Sequence, residues 1–307
     1  MIPFWSLGAS SALAMMIAGP FILGSTPGKV GSSEDPAIET LQGQEDNSQR
    51  MTVDVAVEGN GPYRFLVDTG SQRTVVSTAL ARSLALVPGP NVTIVGMAGI
   101  DKVGTAKVDA IAVGKRALHG LTVPLLQDQH IGADGILGTD SLQDQRVLLD
   151  FTKNSISIGD SRELGGNSGY EIVVRARKRS GRLIMTNARI DGVYVNVVID
   201  TGSSHTVGNR ALQRALRDNR EGAMTLWSVT GHTLPADIGF AKELDIDRLR
   251  VNNVLIAYAD APAFRELKLD RTPAIFLGMR EMRGMNRISI DFSTRRILFD
   301  LPSSTEQ

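Results

Sequence analysis

The sequence predicts an all-β chain of two similar lobes, related by internal duplication and carrying few short helices. Three observations lead there. A four-residue stretch occurs twice, Asp68-Thr69-Gly70-Ser71 and Asp200-Thr201-Gly202-Ser203. Each copy ends an apolar, β-branched run, Phe65-Leu66-Val67 in the first case and Val197-Val198-Ile199 in the second, and such runs read as buried strands. The same features then follow in the same order: Thr74-Val75 or Thr206-Val207, a helical segment (79–84 or 211–216), two hydrophobic residues and a glycine (Ile136-Leu137-Gly138 or Phe276-Leu277-Gly278), and a closing Asp150-Phe151 or Asp291-Phe292. The interval from Asp200 to Gly278 exceeds that from Asp68 to Gly138, so the second half carries a modest insertion.

The chain begins with a mostly apolar run, Phe4 to Leu23, that carries no charge. It is near the ~20 residues needed to cross a bilayer. No basic residue precedes it, as would be usual for a signal peptide, and Gly19-Pro20 interrupts it. Residues 1–27 are read as a secretion signal or a single membrane anchor. Either would place the protein in an exported location (periplasmic or extracellular) or tether it to a membrane. Residues 28–50, rich in Gly, Ser, Glu, Asp and Gln, read as a flexible linker.

The first lobe is assigned to residues 51–160. Val53, Val55 and Val57 alternate with Asp54, Ala56 and Glu58, the period of a half-buried strand. After the Asp68 turn and its short helix, Val92–Val95 leads into Gly96-Met97-Ala98-Gly99-Ile100, a candidate hairpin tip. Strand signals continue at 111–113, 121–123 and 147–149. Asp134-Gly135 reads as a turn, and Asp140 as a helix-capping residue with no catalytic role. Residues 161–169, rich in glycine, form the expected interlobe linker. The second lobe, 170–302, repeats the plan, with a helix near 210–217 and with 225–231 in the place of the hairpin. Trp227 there is expected either to line a pocket or to pack in the core.

The chemistry lies at the two corners. A strand that ends on Asp and turns through Thr-Gly puts a carboxylate at a buried bend, where it is costly unless something hydrogen-bonds it or shares its proton. Two such corners suggest that each acid is the other's partner. Asp68 and Asp200 are therefore expected to face each other across a pseudo-twofold axis and to activate one water. Gly70 and Gly202 lack a Cβ, which lets backbone N–H groups approach the carboxylates.

Other chemistries are poorly served. The formal net charge is +0, so no basic surplus drives nucleic-acid binding, and the run Arg175–Arg179 reads as a solvated strand end. There are no cysteines, which excludes disulfides and thiolate metal sites. The four histidines lack zinc-motif spacing, and no Gly-x-Ser-x-Gly elbow or phosphate loop is present. No metal and no cofactor are expected.

The paired Asp-Thr-Gly-Ser stretches, each with a downstream hydrophobic-hydrophobic-Gly, resemble the aspartic proteases, the family of pepsin and the retroviral enzymes. The likeness covers roughly residues 51 to 300, and the short lobes look most like two fused retropepsin-type domains, as in bacterial aspartyl proteases of that kind. It implies a two-lobed β-barrel fold, peptide hydrolysis by Asp68 and Asp200, and a polypeptide substrate. It also implies that 136–138 and 276–278 cross behind the turns. Thr69 and Thr201 would bond across the lobes, and the Ser71 and Ser203 hydroxyls would bond the outer carboxylate oxygens. Gly96 and Met97 would belong to a flap.

The chain departs from the pepsin pattern in having no aromatic residue between Val92 and Gly104. Either that flap works without one, or the second lobe supplies the lid through Trp227. Met279-Arg280 also replaces Thr139-Asp140. The alternative function is a catalytically inactive peptide-binding module of the same fold, which would have no need of two mutually repelling acids. A homodimer with dyads between chains is disfavoured by the short interlobe linker, which favours a monomer with an intramolecular pair.

Overall fold

In a computed structural model of the chain, residues 40–42, 44–45, 50–114, 116–217 and 220–302 are described. The apolar run of residues 1–27 lies outside them. Among the described residues no helix is long and apolar enough to cross a membrane.

Each lobe is built on one eight-stranded sheet, and the two sheets have the same strand order. In the first lobe Met51–Val57 buries Met51, Val53, Val55 and Val57 and exposes Asp54, as its alternation predicts. It pairs with Asn60–Val67, whose last three residues, Phe65, Leu66 and Val67, are buried on both faces. That strand runs parallel to Gly135–Leu137, which in turn pairs antiparallel with Val75–Ser77. The long strands Ile100–Val113 and Arg116–Leu126 complete the sheet with Val87–Val95, and Ile100–Val113 returns to pair with Met51–Val57. That last pairing curls the sheet on itself.

The second lobe repeats each step. Arg182–Ile190 pairs with Val193–Ile199, which runs parallel to Ala274–Leu277. The latter pairs antiparallel with Thr206–Asn209, and Thr233–Ile246 returns to Arg182–Ile190. The short helices Thr78–Ser83 and Arg210–Ala215 occupy matching places. Each is capped by a side chain, Ser77 accepting from the Leu80 N–H and Asn209 from the Leu212 N–H.

A third, six-stranded sheet is shared. At its centre the closing strand of the first lobe, Arg146–Asp150, lies antiparallel to that of the second, Arg287–Asp291. Arg146 stands opposite Asp291 and Asp150 opposite Arg287. The two closing strands have the same Arg-x-x-x-Asp form, so antiparallel pairing puts opposite charges together at both ends. Its edge strand is Thr40–Gln42, and Gln44–Glu45 pairs with Met51–Val57. Pairing thus begins within the stretch expected as linker, because an edge strand needs backbone groups rather than apolar side chains. The other residues of 28–49 lie outside those described. The basic run 175–179 spans exposed strand ends, and 161–169 is a succession of turns between the lobes.

Candidate active site

Both Asp-Thr-Gly turns are held from behind by the crossing segment. The Asp68 N–H donates to the Leu137 carbonyl and the Asp200 N–H to that of Leu277, each at 3.0 Å. The Thr139 N–H reaches Ser71 O and the Met279 N–H reaches Ser203 O, each at 2.9 Å. Only glycine fits where the segments cross: a Cβ on Gly138 would lie 2.4 Å from the Arg73 backbone, and one on Gly278 would lie 2.5 Å from that of His205.

The turns are also locked to each other. Thr69 Oγ1 donates to Ile199 O of the other lobe at 2.8 Å, and Thr201 Oγ1 donates to Val67 O at 2.6 Å. Each hydroxyl also accepts from the opposite threonine's N–H, Thr201 Oγ1 at 3.0 Å and Thr69 Oγ1 at 3.4 Å. Both threonines are buried. Beyond them the carboxyls cross over. A Cβ on Gly70 would lie 2.5 Å from Asp200 Oδ1, and one on Gly202 would lie 2.3 Å from Asp68 Cγ. Each acid therefore rests on the glycine of the opposite turn.

The two carboxyls are not equivalent. Asp68 keeps part of its surface open to the cleft, whereas Asp200 is 5% exposed. Asp68 Oδ1 accepts two backbone N–H bonds, from Gly70 at 2.8 Å and Ser71 at 2.9 Å; Asp200 Oδ1 accepts that of Gly202 at 3.1 Å. Burial raises the Asp68 carboxyl above its ordinary range, opposed by those N–H groups and by the charges of Arg182 and Arg50. The Asp200 carboxyl is also raised, well above its ordinary range. Burial comes first among the causes, then the negative charge of Asp68, against relief from the Gly202 N–H and Arg182.

The serine hydroxyls differ from the expectation that they bond the carboxylates. Ser71 Oγ donates to Arg73 O at 3.0 Å and Ser203 Oγ to His205 O at 2.8 Å. A hydroxyl has one proton to give, and here it closes the turn. Asp140 also differs, because the cap of its helix, Thr139–Leu142, is Gly138. Its carboxylate accepts the Ser141 N–H in the helix's first turn at 2.8 Å and also the Thr74 N–H and Oγ1, at 2.8 and 2.7 Å, bracing the segment after the Asp68 turn. Glu281 receives the Thr206 hydroxyl at the matching place in the second lobe.

Both carboxyls open into a cleft of about 570 Å³. Its roof comes from both lobes. Gly96 faces Ser228, to whose Oγ an added Cβ would approach within 2.6 Å, and Gly99 faces the His232 ring in the same way at 2.5 Å. His232 Nε2 lies 2.9 Å from Asp101 Oδ2, linking the two hairpins. Met97 packs against the second lobe's apolar cluster. Trp227 lines the cleft and is 76% exposed, so the core-packing role does not hold; the strand it ends, Gly222–Trp227, lies at the sheet edge. His205 also lines the cleft.

Sequence reasoning missed Arg182 and Glu266. Arg182 is 4% exposed, donates from Nε to Gly70 O at 2.5 Å, and pairs through Nη1 with Glu266 at 3.2 Å. The duplication held the signal: Arg182 precedes Asp200 by the same interval as Arg50 precedes Asp68. Arg50 also lines the cleft and donates to Ile131 O at 3.0 Å. Among the described residues no cluster of three or more His, Asp or Glu side chains is placed to hold a metal ion.

Two family models match the chain, one in each lobe. Residues 53–144 match a gag-polyprotein aspartyl protease model, and residues 186–280 match an aspartyl protease model. No curated protein sequence gives a significant match.

Proposed function

We propose that this chain, which belongs to the aspartyl proteases in both of its lobes, is an endopeptidase in which Asp68 and Asp200 together activate a water against a peptide bond. The observation that carries the reading is the crossed packing of the turns, each carboxyl seated on the opposite glycine. Two acids so placed cannot both ionise comfortably, and the pair titrates as a unit.

Asp200, more deeply buried and held by one backbone N–H where Asp68 has two, keeps the shared proton. Asp68, held by two N–H donors, is the anion. In the forward step Asp68 takes a proton from the water while Asp200 donates to the carbonyl oxygen. The water oxygen attacks the carbonyl carbon directly as the C=O π bond opens, giving a gem-diol and no acyl-enzyme. Asp68 then gives its proton to the amide nitrogen as the C–N bond breaks, and a gem-diol hydroxyl proton returns to Asp200. This is the paired-carboxylate chemistry general to aspartic proteases.

The substrate is a polypeptide in extended form, lying in the cleft beneath the two hairpins. The active species is a monomer, a reading supported by both acids lying on one chain, and the uncharged apolar run of residues 4–23 supports an exported or membrane-tethered location.

The test is incubation of the purified protein with an unfolded protein substrate across roughly pH 3 to 7, where carboxyl pairs titrate. Asp68→Asn and Asp200→Asn are run beside it. Cleavage by the wild type, lost in both variants, supports the proposal. Cleavage that survives either substitution rejects the shared pair, and peptide binding without cleavage would assign the chain to the inactive binding class.

A further inference from the structure

The pseudo-twofold relation breaks at one buried place beside the aspartates. Arg182, at the start of Arg182–Ile190 in the second lobe, reaches across to the Gly70 carbonyl of the first. Gly70 is the hinge of both acids: its N–H donates to Asp68 Oδ1, and its Cα surface supports the Asp200 carboxyl. The Gly70 carbonyl shares its peptide with the Ser71 N–H, which also donates to Asp68 Oδ1, so a shift of this one residue moves both carboxyls. The counterpart Arg50 donates to the Ile131 carbonyl in its own lobe. The helix behind Arg182, Pro262–Glu266, offers a carboxylate, whereas the helix reached by Arg50, Asp128–Ile131, offers that carbonyl.

We propose that Arg182 is a positioning residue that fixes the Gly70 turn from the opposite lobe, and that Glu266 holds its guanidinium there and balances its charge. The inference rests on the peptidase reading for its catalytic meaning, though not for its test. A guanidinium so far from solvent is costly unless paired, and Glu266 supplies that partner. The charge of Arg182 lowers the proton affinity of both aspartates. The other charged or titratable groups on the cleft walls are Arg50, Arg73, His130, His205 and Glu266. Glu266 opposes the field of Arg182. The two members of the pair should therefore act on the aspartates with opposite sign.

The experiment compares wild type, Arg182→Gln, Arg182→Lys and Glu266→Gln as full chains. The two aspartate carboxyl carbons are titrated by ¹³C NMR, and the pH profile of kcat/KM is measured wherever cleavage occurs. Arg182→Gln should move both macroscopic titrations to higher pH, by on the order of one unit for a neighbouring charge. Glu266→Gln, part-exposed and conservative, should move them to lower pH. Arg182→Lys should restore the titrations but, lacking the planar fork, should recover kcat only in part.

Titrations that stay in place in both Arg182→Gln and Glu266→Gln would overturn the proposal, as would movement in the same direction. If Arg182→Gln fails to fold, the sign of the Glu266→Gln shift decides alone. Should the wild type cleave nothing, the peptidase reading fails while the carboxyl titrations still judge this one.

Discussion

Arg146 of the first lobe and Asp291 of the second stand opposite each other in the shared sheet, Nη2 2.8 Å from Oδ2, with side chains 1% and 0% exposed. Burial alone would raise the Asp291 carboxyl. Donors from Ser293, the Thr294 N–H, Arg146 and Ser161 outweigh it and hold the group well below the usual carboxylate range. Asp291→Asn would leave a buried guanidinium without its counter-ion, and should cost about 3–5 kcal/mol in urea unfolding at neutral pH. Because the folded-state proton affinity is depressed, the contribution of Asp291 is full above the unfolded pKa and is lost as pH falls. The gap between wild type and variant should therefore narrow on acidification.

Asp200 predicts the reverse dependence. Its proton affinity is raised in the fold above the ordinary 3.8, so its favourable contribution is present below that value and is lost as pH rises through the folded-state pKa. Asp200→Asn should match the wild type in thermal unfolding at low pH and become the more stable of the two as pH increases. A gap that shrinks with rising pH would contradict the assigned direction.

Gly70→Ala and Gly202→Ala test the crossed packing. The new methyl would lie 2.5 Å from Asp200 Oδ1 in one case and 2.3 Å from Asp68 Cγ in the other, so the clash is relieved only by displacing one of the paired carboxyls. Both variants should lose proteolysis entirely and unfold at lower urea, by about 1–3 kcal/mol for an overpacked buried site. Retained activity in either would mean that the carboxyls do not sit where the geometry puts them.

Thr69→Val and Thr201→Val keep the shape of the lock and remove its hydroxyls. Each strands a buried carbonyl, Ile199 O in the first case and Val67 O in the second. A loss of about 1–3 kcal/mol each is expected for an unsatisfied buried acceptor. The double variant should lose less than the sum, because the two hydroxyls also contact each other, Oγ1 to Oγ1 at 3.4 Å, and either single change already breaks that contact. Chemical denaturation of the four proteins closes the cycle.

Trp227 separates binding from folding. At 76% exposed, its replacement by Ala should leave the unfolding midpoint within about 0.5 kcal/mol of the wild type, as for most surface changes. As a wall of the cleft it should raise KM for peptide substrates with little change in kcat. A large drop in stability would show that the indole packs into the lobe instead.

Much of the architecture was legible because it is periodic or repeated. The valine alternation from Met51 to Val57 has a period only a half-buried strand satisfies. The runs 65–67 and 197–199, apolar on both faces, became central strands beside parallel neighbours. The fate of the serines was less legible. Ser71 could bond either a carboxylate or a carbonyl, and only the fold of its turn turned it toward Arg73 O. Asp140 carried a capping residue type at a helix start, yet the crossing segment brought Thr74 within its reach and Gly138 took the cap.

Read along the chain, the residues already show two similar halves, each ending a buried strand on an acid with a glycine two residues further on. Those features are local, and local sterics and burial dictate them wherever the rest of the chain lies. That Gly70 lies beneath Asp200 and Gly202 beneath Asp68 comes from the packing of one lobe on the other. The same packing carries Arg182 to the Gly70 carbonyl of the first lobe and leaves Asp200 the more deeply buried acid. Distances between groups far apart in the chain set these relations, and a pattern read along one strand carries no record of them.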